Sequence, residues 1–203
     1  MTRALFITFE GGEGAGKTTQ IKRLAQKLGN CVITREPGGT PEAEALRDVF
    51  IDHHGQDWPP IALLLLMFTA RALHTEKLIK PTIAQGRTVL CDRYTDSTRV
   101  YQGYAGGLPL KEIETVKKSA IGDFEPDLTF ILDIDPALGL NRAGARKADG
   151  DTFESKDMYF HTQIRKGFLD IANKNPSRCV ILDATQSEDA IAEQILKRVN
   201  DVR

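Results

Sequence analysis

Residues Gly11 to Thr18 read Gly-Gly-Glu-Gly-Ala-Gly-Lys-Thr and satisfy the pattern Gly-x-x-x-x-Gly-Lys-Ser/Thr at every fixed position. Such a string needs a strand running into it and a helix running out of it. Both neighbours are present. Ala4 to Phe9 is an apolar, β-favouring run, and Thr19 to Leu28 has helical spacing with Ile21, Leu24, Ala25 and Leu28 on one face. In that arrangement successive backbone N–H groups converge on a concavity and the helix N-terminus adds partial positive charge, so a polyphosphate is held without bulky side chains. Gly11, Gly12, Glu13, Gly14, Ala15 and Gly16 are expected to form the cradle. Lys17 would reach the terminal phosphates and the Thr18 hydroxyl would ligate Mg²⁺. A glycine-rich turn with a chance Lys-Thr pair is the bland alternative, and the flanking strand and helix weigh against it. The expected ligand is a nucleoside triphosphate.

The rest of the chain is patterned to match. Strand-like runs at Cys31 to Thr34, Thr88 to Cys91, Leu128 to Leu132 and Cys179 to Leu182 alternate with helical stretches. The helices are expected around Pro41 to Asp52, Pro60 to Gln85, Leu110 to Ile121, Pro136 to Ala145, Phe153 to Asn173 and Ser187 to Val202. No hairpin signal joins the strands, so an α/β fold with a parallel sheet covered by helices on both faces is expected. Pro41, Pro60 and Pro136 suit first helical turns, and Asp135 suits an N-cap. A length of 203 residues fits one domain, 1–203. Its one anomaly is the charge-dense, glycine-containing run from Arg142 to Asp151, read as a mobile lid at about 142–152.

A net charge of −1 gives no general reason to expect a nucleic-acid or anionic-membrane partner. Cys31, Cys91 and Cys179 share no metal-ligand spacing and are expected to be buried free thiols; with no leader segment, they fit a reducing cytoplasm. His53, His54, His74 and His161 form no metal cluster and are expected at the surface or in supporting positions. The apolar run Ile61 to Phe68 is too short to cross a bilayer. As a helix apolar on every side it needs cover on more than one face. The sheet can supply one cover, and either a second subunit or further burial within a monomer the other.

Functional residues of open α/β sheets gather at the carboxyl ends of the strands. Arg35, beside the stiff turn Pro37-Gly38-Gly39, could orient an anion. Asp92 ends an apolar strand as a magnesium-holding carboxylate would, with Arg93 beside it to grip a second phosphate. Asp133 competes for the metal, but it leads into the helix start Asp135-Pro136, so Asp92 is preferred. Phe68 and Arg71, three apart on one helix face, could stack a base and hydrogen-bond its edge; a core aromatic with a surface Arg is the plainer reading. Arg142 and Arg146 sit where a closing lid would bring positive charge to a γ-phosphate and exclude water.

Taken in order, Phe9 to Thr19, then Thr34-Arg35-Glu36-Pro37-Gly38-Gly39-Thr40, then Asp92-Arg93-Tyr94, Ser97-Thr98, Tyr101-Gln102-Gly103 and the arginine-rich lid, the chain resembles the bacterial thymidylate kinases. The resemblance runs over nearly the whole sequence. It implies the three-layer P-loop NTPase fold with a five-stranded parallel sheet, a homodimer, and transfer of the ATP γ-phosphoryl group to dTMP with Mg²⁺. Carried over by position, Lys17 and the loop from Gly11 through Thr19 hold ATP. Glu13 lies near the acceptor's sugar and phosphate, and Arg93 binds that phosphate, with Arg35 and Pro37 close by. Phe68 stacks on thymine and Arg71 hydrogen-bonds it, while Thr98, Tyr101 and Gln102 complete the pocket. Gly14 stands where another branch carries an arginine, which leaves that charge to the lid. The usual Asp-Arg-Phe-Glu after the lid reads Asp151-Thr152-Phe153-Glu154 here, so one cation of the pattern is missing. No Asn-Lys-x-Asp guanine-reading segment is present, which argues against a GTPase-type switch; a kinase for another monophosphate is the nearer rival.

Overall fold

A computed structural model describes residues 3–52, 58–144 and 156–203. Five strands form one parallel sheet: β1 (Phe6–Glu10), β2 (Cys31–Arg35), β3 (Thr88–Asp92), β4 (Leu128–Asp133) and β5 (Cys179–Asp183), in the spatial order β2-β3-β1-β4-β5. All four strands expected beyond the first are present within a residue of their expected limits. β1 is buried along its whole length, as a central strand covered on both faces must be. Edge strands β2 and β5 each leave one isoleucine, Ile33 and Ile181, exposed.

Helices connect the strands: α1 (Lys17–Leu28), α2 (Pro41–Asp52), α3 (Pro60–His74), α4 (Lys80–Ala84), the single turn α5 (Thr95–Thr98), α6 (Leu110–Ile121), α7 (Pro136–Gly144), α8 (Met158–Lys174) and α9 (Glu188–Val202). Alternation along β1 separates two cores. Leu5, Ile7 and Phe9 join Ile21 and Leu24 of α1 and Ile191, Ile195 and Val199 of α9. On the opposite face, Phe6 joins Leu64 and Phe68 of α3 and Ile113 of α6. A third cluster seats α8, through Ile164, Phe168 and Ile171, against Val100, Tyr101 and Ile131.

Side-chain caps account for the starts of three helices. The Asp135 carboxylate accepts from the amides of Ala137 and Leu138, capping α7 as expected. Ser187 and Asp157 cap α9 and α8 in the same way. Two departures concern π-helical turns. The long helix expected from Pro60 to Gln85 is interrupted by one at Thr75–Ile79, and a second at Arg99–Tyr104 extends α5 where no helix was expected. None of the described helices is long and apolar enough to cross a membrane.

Candidate active site

The phosphate loop leaves β1 at the centre of the sheet, where β3 and β4 flank it and the connections diverge to opposite sides. Its backbone is shaped by glycines. Gly14 takes φ +66°, and a Cβ there would lie 2.0 Å from the carbonyl oxygen of Gly139 on α7. Gly139 is equally constrained, since its own Cβ would lie 2.4 Å from the Glu13 carbonyl oxygen. Position 14 is glycine because α7 packs backbone to backbone against the loop.

Lys17 is buried, with its Nζ donating to the carbonyl oxygens of Gly11 at 3.2 Å and Gly12 at 3.0 Å. Burial first, then the neighbouring Arg93 charge, push its ammonium below the usual lysine range, against the pull of Glu13, Asp92 and Glu10. The Thr18 hydroxyl donates to Asp92 Oδ2 at 3.2 Å, and Asp92 Oδ1 is buried without a hydrogen-bond partner. A hydroxyl and a buried, under-satisfied carboxylate oxygen beside the loop are the oxygen donors a hard divalent cation takes. The rival Asp133 is committed elsewhere: Arg165 of α8 grips it through two bonds of 2.7 and 2.9 Å.

Arg93 is the only described non-glycine residue with positive φ, at +68°. This backbone is costly for an arginine and recurs where a side chain must be aimed. Its guanidinium donates to Glu13 Oε1 at 2.7 Å, to the Gly11 carbonyl oxygen at 3.1 Å and to Ser97 Oγ at 3.3 Å. The Tyr101 hydroxyl donates to the same Glu13 oxygen at 2.9 Å, and the Arg93 guanidinium lies 5.1 Å from the centre of the Tyr101 ring. Burial alone would lower the Arg93 pKa. Tyr101, Glu13, Asp92 and Glu10 outweigh it, so the shift is upward and the guanidinium stays charged.

Glu10, the residue before the loop, was not expected to take part. Its carboxylate accepts from the amides of Tyr94 at 2.8 Å and Ser97 at 3.3 Å and from the Ser97 hydroxyl at 2.6 Å, so it pins the segment that carries Arg93. A signal was present: like Asp92 and Asp133, Glu10 ends an apolar strand. Asp96 supports the same segment from behind, bonded to Arg99 at 2.7 Å and to Arg178 at 2.6 Å.

On α3 the structure joins Phe68 and Arg71, with the aromatic in the core as the plainer reading had it and the arginine buried beside it. Phe68 is a core residue packed with Phe6, Leu64, Val89 and Tyr94, and the Arg71 guanidinium sits 4.7 Å from its ring centre. Phe68 therefore supports Arg71 from the core, and Arg71 is buried instead of lying at the surface. Met67, one helical turn before Arg71, is also buried yet belongs to none of the three apolar clusters. Arg71 donates through Nε to Glu36 Oε2 at 2.6 Å and through Nη2 to the Tyr94 carbonyl oxygen at 3.1 Å. Thr98, Tyr101 and Gln102 are all buried, and their spacing puts them on one face of consecutive turns.

Other expected residues make their described bonds to groups outside this cluster, although Arg35 pairs with Asp92 in the sheet. Arg35 is exposed and paired with Glu44 at 2.7 Å, while Pro37 offers its carbonyl oxygen to Arg47. Arg142 donates to the Ala184 carbonyl oxygen at 2.9 Å. Arg146, Thr152 and most of the expected lid lie outside the described residues, as do His53 and His54. His74 and His161 are buried, so neither is a surface residue. Cys91 and Cys179 are buried free thiols as expected, and Cys31 is half-buried.

Comparison with known proteins gives a consistent result. A family model described as thymidylate kinase matches residues 9–195. A thymidylate kinase of Caulobacter vibrioides is 46% identical over 199 residues, covering 96% of this chain and 95% of that protein. One of Deinococcus radiodurans is 44% identical over 205 residues, covering 99% and 98%. A crystal structure of thymidylate kinase from Ehrlichia chaffeensis superposes with a TM-score of 0.78 at 35% identity, covering 98% of this chain and 99% of that one.

Proposed function

The chain belongs to the thymidylate kinase family, and we propose that it moves the γ-phosphoryl group of ATP to dTMP, giving dTDP and ADP for thymidine triphosphate and DNA synthesis. The observation that carries this reading is the shared contact between the two halves of the site. Glu13, within the phosphate loop, is bonded to Arg93 and Tyr101 of the segment that follows β3. One wall thus serves a donor triphosphate and an acceptor monophosphate together.

An oxygen of the acceptor phosphate attacks the γ-phosphorus, and the bond from that phosphorus to the β–γ bridging oxygen breaks as ADP leaves. The second ionisation of a phosphate monoester falls near pH 6, so the attacking oxygen is already largely ionised at neutral pH and needs no general base. Glu13 accordingly orients Arg93 and Tyr101, and the remaining task is alignment and charge neutralisation. The loop amides and Lys17 hold the ATP phosphates, and Arg93 holds the acceptor phosphate. Thr18 and Asp92 would hold Mg²⁺, directly or through water, and the ion would supply neutralisation of phosphate charge. Arg71 reads the base, with Met67 and Phe68 beside it and Thr98, Tyr101 and Gln102 closing the pocket, while Pro37 and Arg35 border the acceptor side. Arg142 and Arg146 of the lid supply the charge that Gly14 does not carry.

The exposed apolar side chains of α3 fit a homodimer, and the free thiols fit the cytoplasm. Lys17→Ala tests the chemistry. We expect kcat/KM to fall by about a hundredfold or more, the scale of losing a group that neutralises transition-state charge, with the far-ultraviolet spectrum and melting temperature little changed. A well-folded variant with near-normal turnover would remove the support for this mechanism.

A further inference from the structure

The Glu36–Arg71 pair is among the most deeply enclosed ion pairs of the described residues, each side chain 3% exposed. Two of the three Arg71 nitrogens are committed, Nε to Glu36 and Nη2 to the Tyr94 carbonyl oxygen. Nη1 is buried and has no partner among the described residues. Leaving a buried guanidinium donor unpaired costs free energy, which a ligand accepting that hydrogen bond would recover. The other carboxylate oxygen of Glu36 lies 2.9 Å from His74 Nδ1, and His74 Nε2 lies 2.7 Å from the Thr34 hydroxyl. A carboxylate only accepts, so Nδ1 carries the proton and, in the neutral ring, Nε2 accepts from Thr34. The chain Thr34–His74–Glu36–Arg71 is therefore a single polarised line from β2 to the acceptor side of the site. Gly39, at φ +89°, lies directly against it: a Cβ there would come within 2.4 Å of His74 Nε2 and 2.5 Å of Thr34 Oγ1.

We infer that Glu36, held by His74 and Thr34, is the positioning residue that locks Arg71 in place and leaves one donor, Nη1, for the acceptor base. This rests on the proposed reading that Arg71 faces the acceptor base. A fork whose other donors are already committed is held in one orientation, with only that N–H to offer the base. Preorganisation of this kind acts on acceptor binding and leaves the phosphoryl-transfer geometry at the loop alone.

Glu36→Gln keeps the shape of the clamp and removes its charge, so it is the variant of choice even if Glu36→Ala does not fold. We expect the KM for dTMP to rise about tenfold, the scale of a charge-assisted hydrogen bond. The ATP KM and kcat should stay within about twofold. In an Arg71→Ala background, Glu36→Gln should change the dTMP KM by less than about twofold, because both act through one contact. A lowered melting temperature with an unchanged dTMP KM, or a full effect persisting without Arg71, would overturn the inference. If Arg71→Ala itself leaves the dTMP KM unaltered, the assignment of Arg71 to the acceptor base fails, and this inference with it.

Discussion

Glu10 shows how much one buried carboxyl can decide. Burial first, then the Asp96 charge, push it up to about 7 from the ordinary 4.5, while the Ser97 hydroxyl, Arg93 and the Tyr94 amide pull the other way. A carboxyl that keeps its proton to higher pH in the folded chain than in the unfolded one favours folding when protonated. That contribution is fully present below about pH 4.5 and is lost as the pH rises through about 7. Glu10→Gln cannot ionise. The native chain should therefore lose stability relative to Glu10→Gln between about pH 5 and about pH 8, by up to about 1.4 kcal/mol per pH unit. Urea melts of both proteins across that range test this, and a constant gap would contradict it. At this scale the phosphate loop, Asp92 and Arg93 were legible in the sequence because motif and strand end coincide. Glu10 and Glu36 were not, since their roles come from partners 84 and 35 residues away that only the fold brings together. Phe68 and Arg71 were legible as a pair but not in their surroundings, because helical spacing gives a shared face and not which neighbour fills it.

At the scale of elements, α2 and α6 run between the expected residues because proline or a polar turn marks their starts and their apolar periodicity is unbroken. The turn from Thr95 to Tyr104 was missed. Its Thr, Tyr and Val content favours strand on propensity, and helix wins there because Glu10 accepts from the amides of Tyr94 and Ser97 at its start. The contact of α7 with the phosphate loop is another tertiary effect with a sign opposite to local expectation. Replacing a mid-helix glycine by alanine ordinarily stabilises by about 0.5–1 kcal/mol. At Gly139 the new methyl would meet the Glu13 backbone, so Gly139→Ala should instead destabilise by about 1–3 kcal/mol and raise the ATP KM. Thermal melts and steady-state kinetics check both effects; a stabilised variant with normal ATP affinity would show that α7 does not brace the loop.

For the molecule as a whole, the outer face of α3 remains to be covered. Ile61 is 44% exposed and Leu65, one turn on, 52%. The same helix buries Leu64, Met67 and Phe68 inward, so the sheet-side cover expected from its all-round apolar character is present and the other is not supplied by this chain's described residues. A homodimer through this face predicts a mass of twice the chain in sedimentation at micromolar concentration, and a monomer for Leu65→Asp. A native chain that sediments as a monomer would refute it.

The central claim is a two-substrate site in which ATP is consumed only when a particular monophosphate shares the wall formed by Glu13 and Arg93. Product formation from ATP·Mg²⁺ with dTMP, UMP, CMP, AMP and GMP in turn, beside a sample lacking any acceptor, measures this directly. Preferred turnover of dTMP with negligible ATP loss in the acceptor-free sample is the predicted result. Preference for any of the other four, or equally rapid ATP hydrolysis without an acceptor, would contradict it.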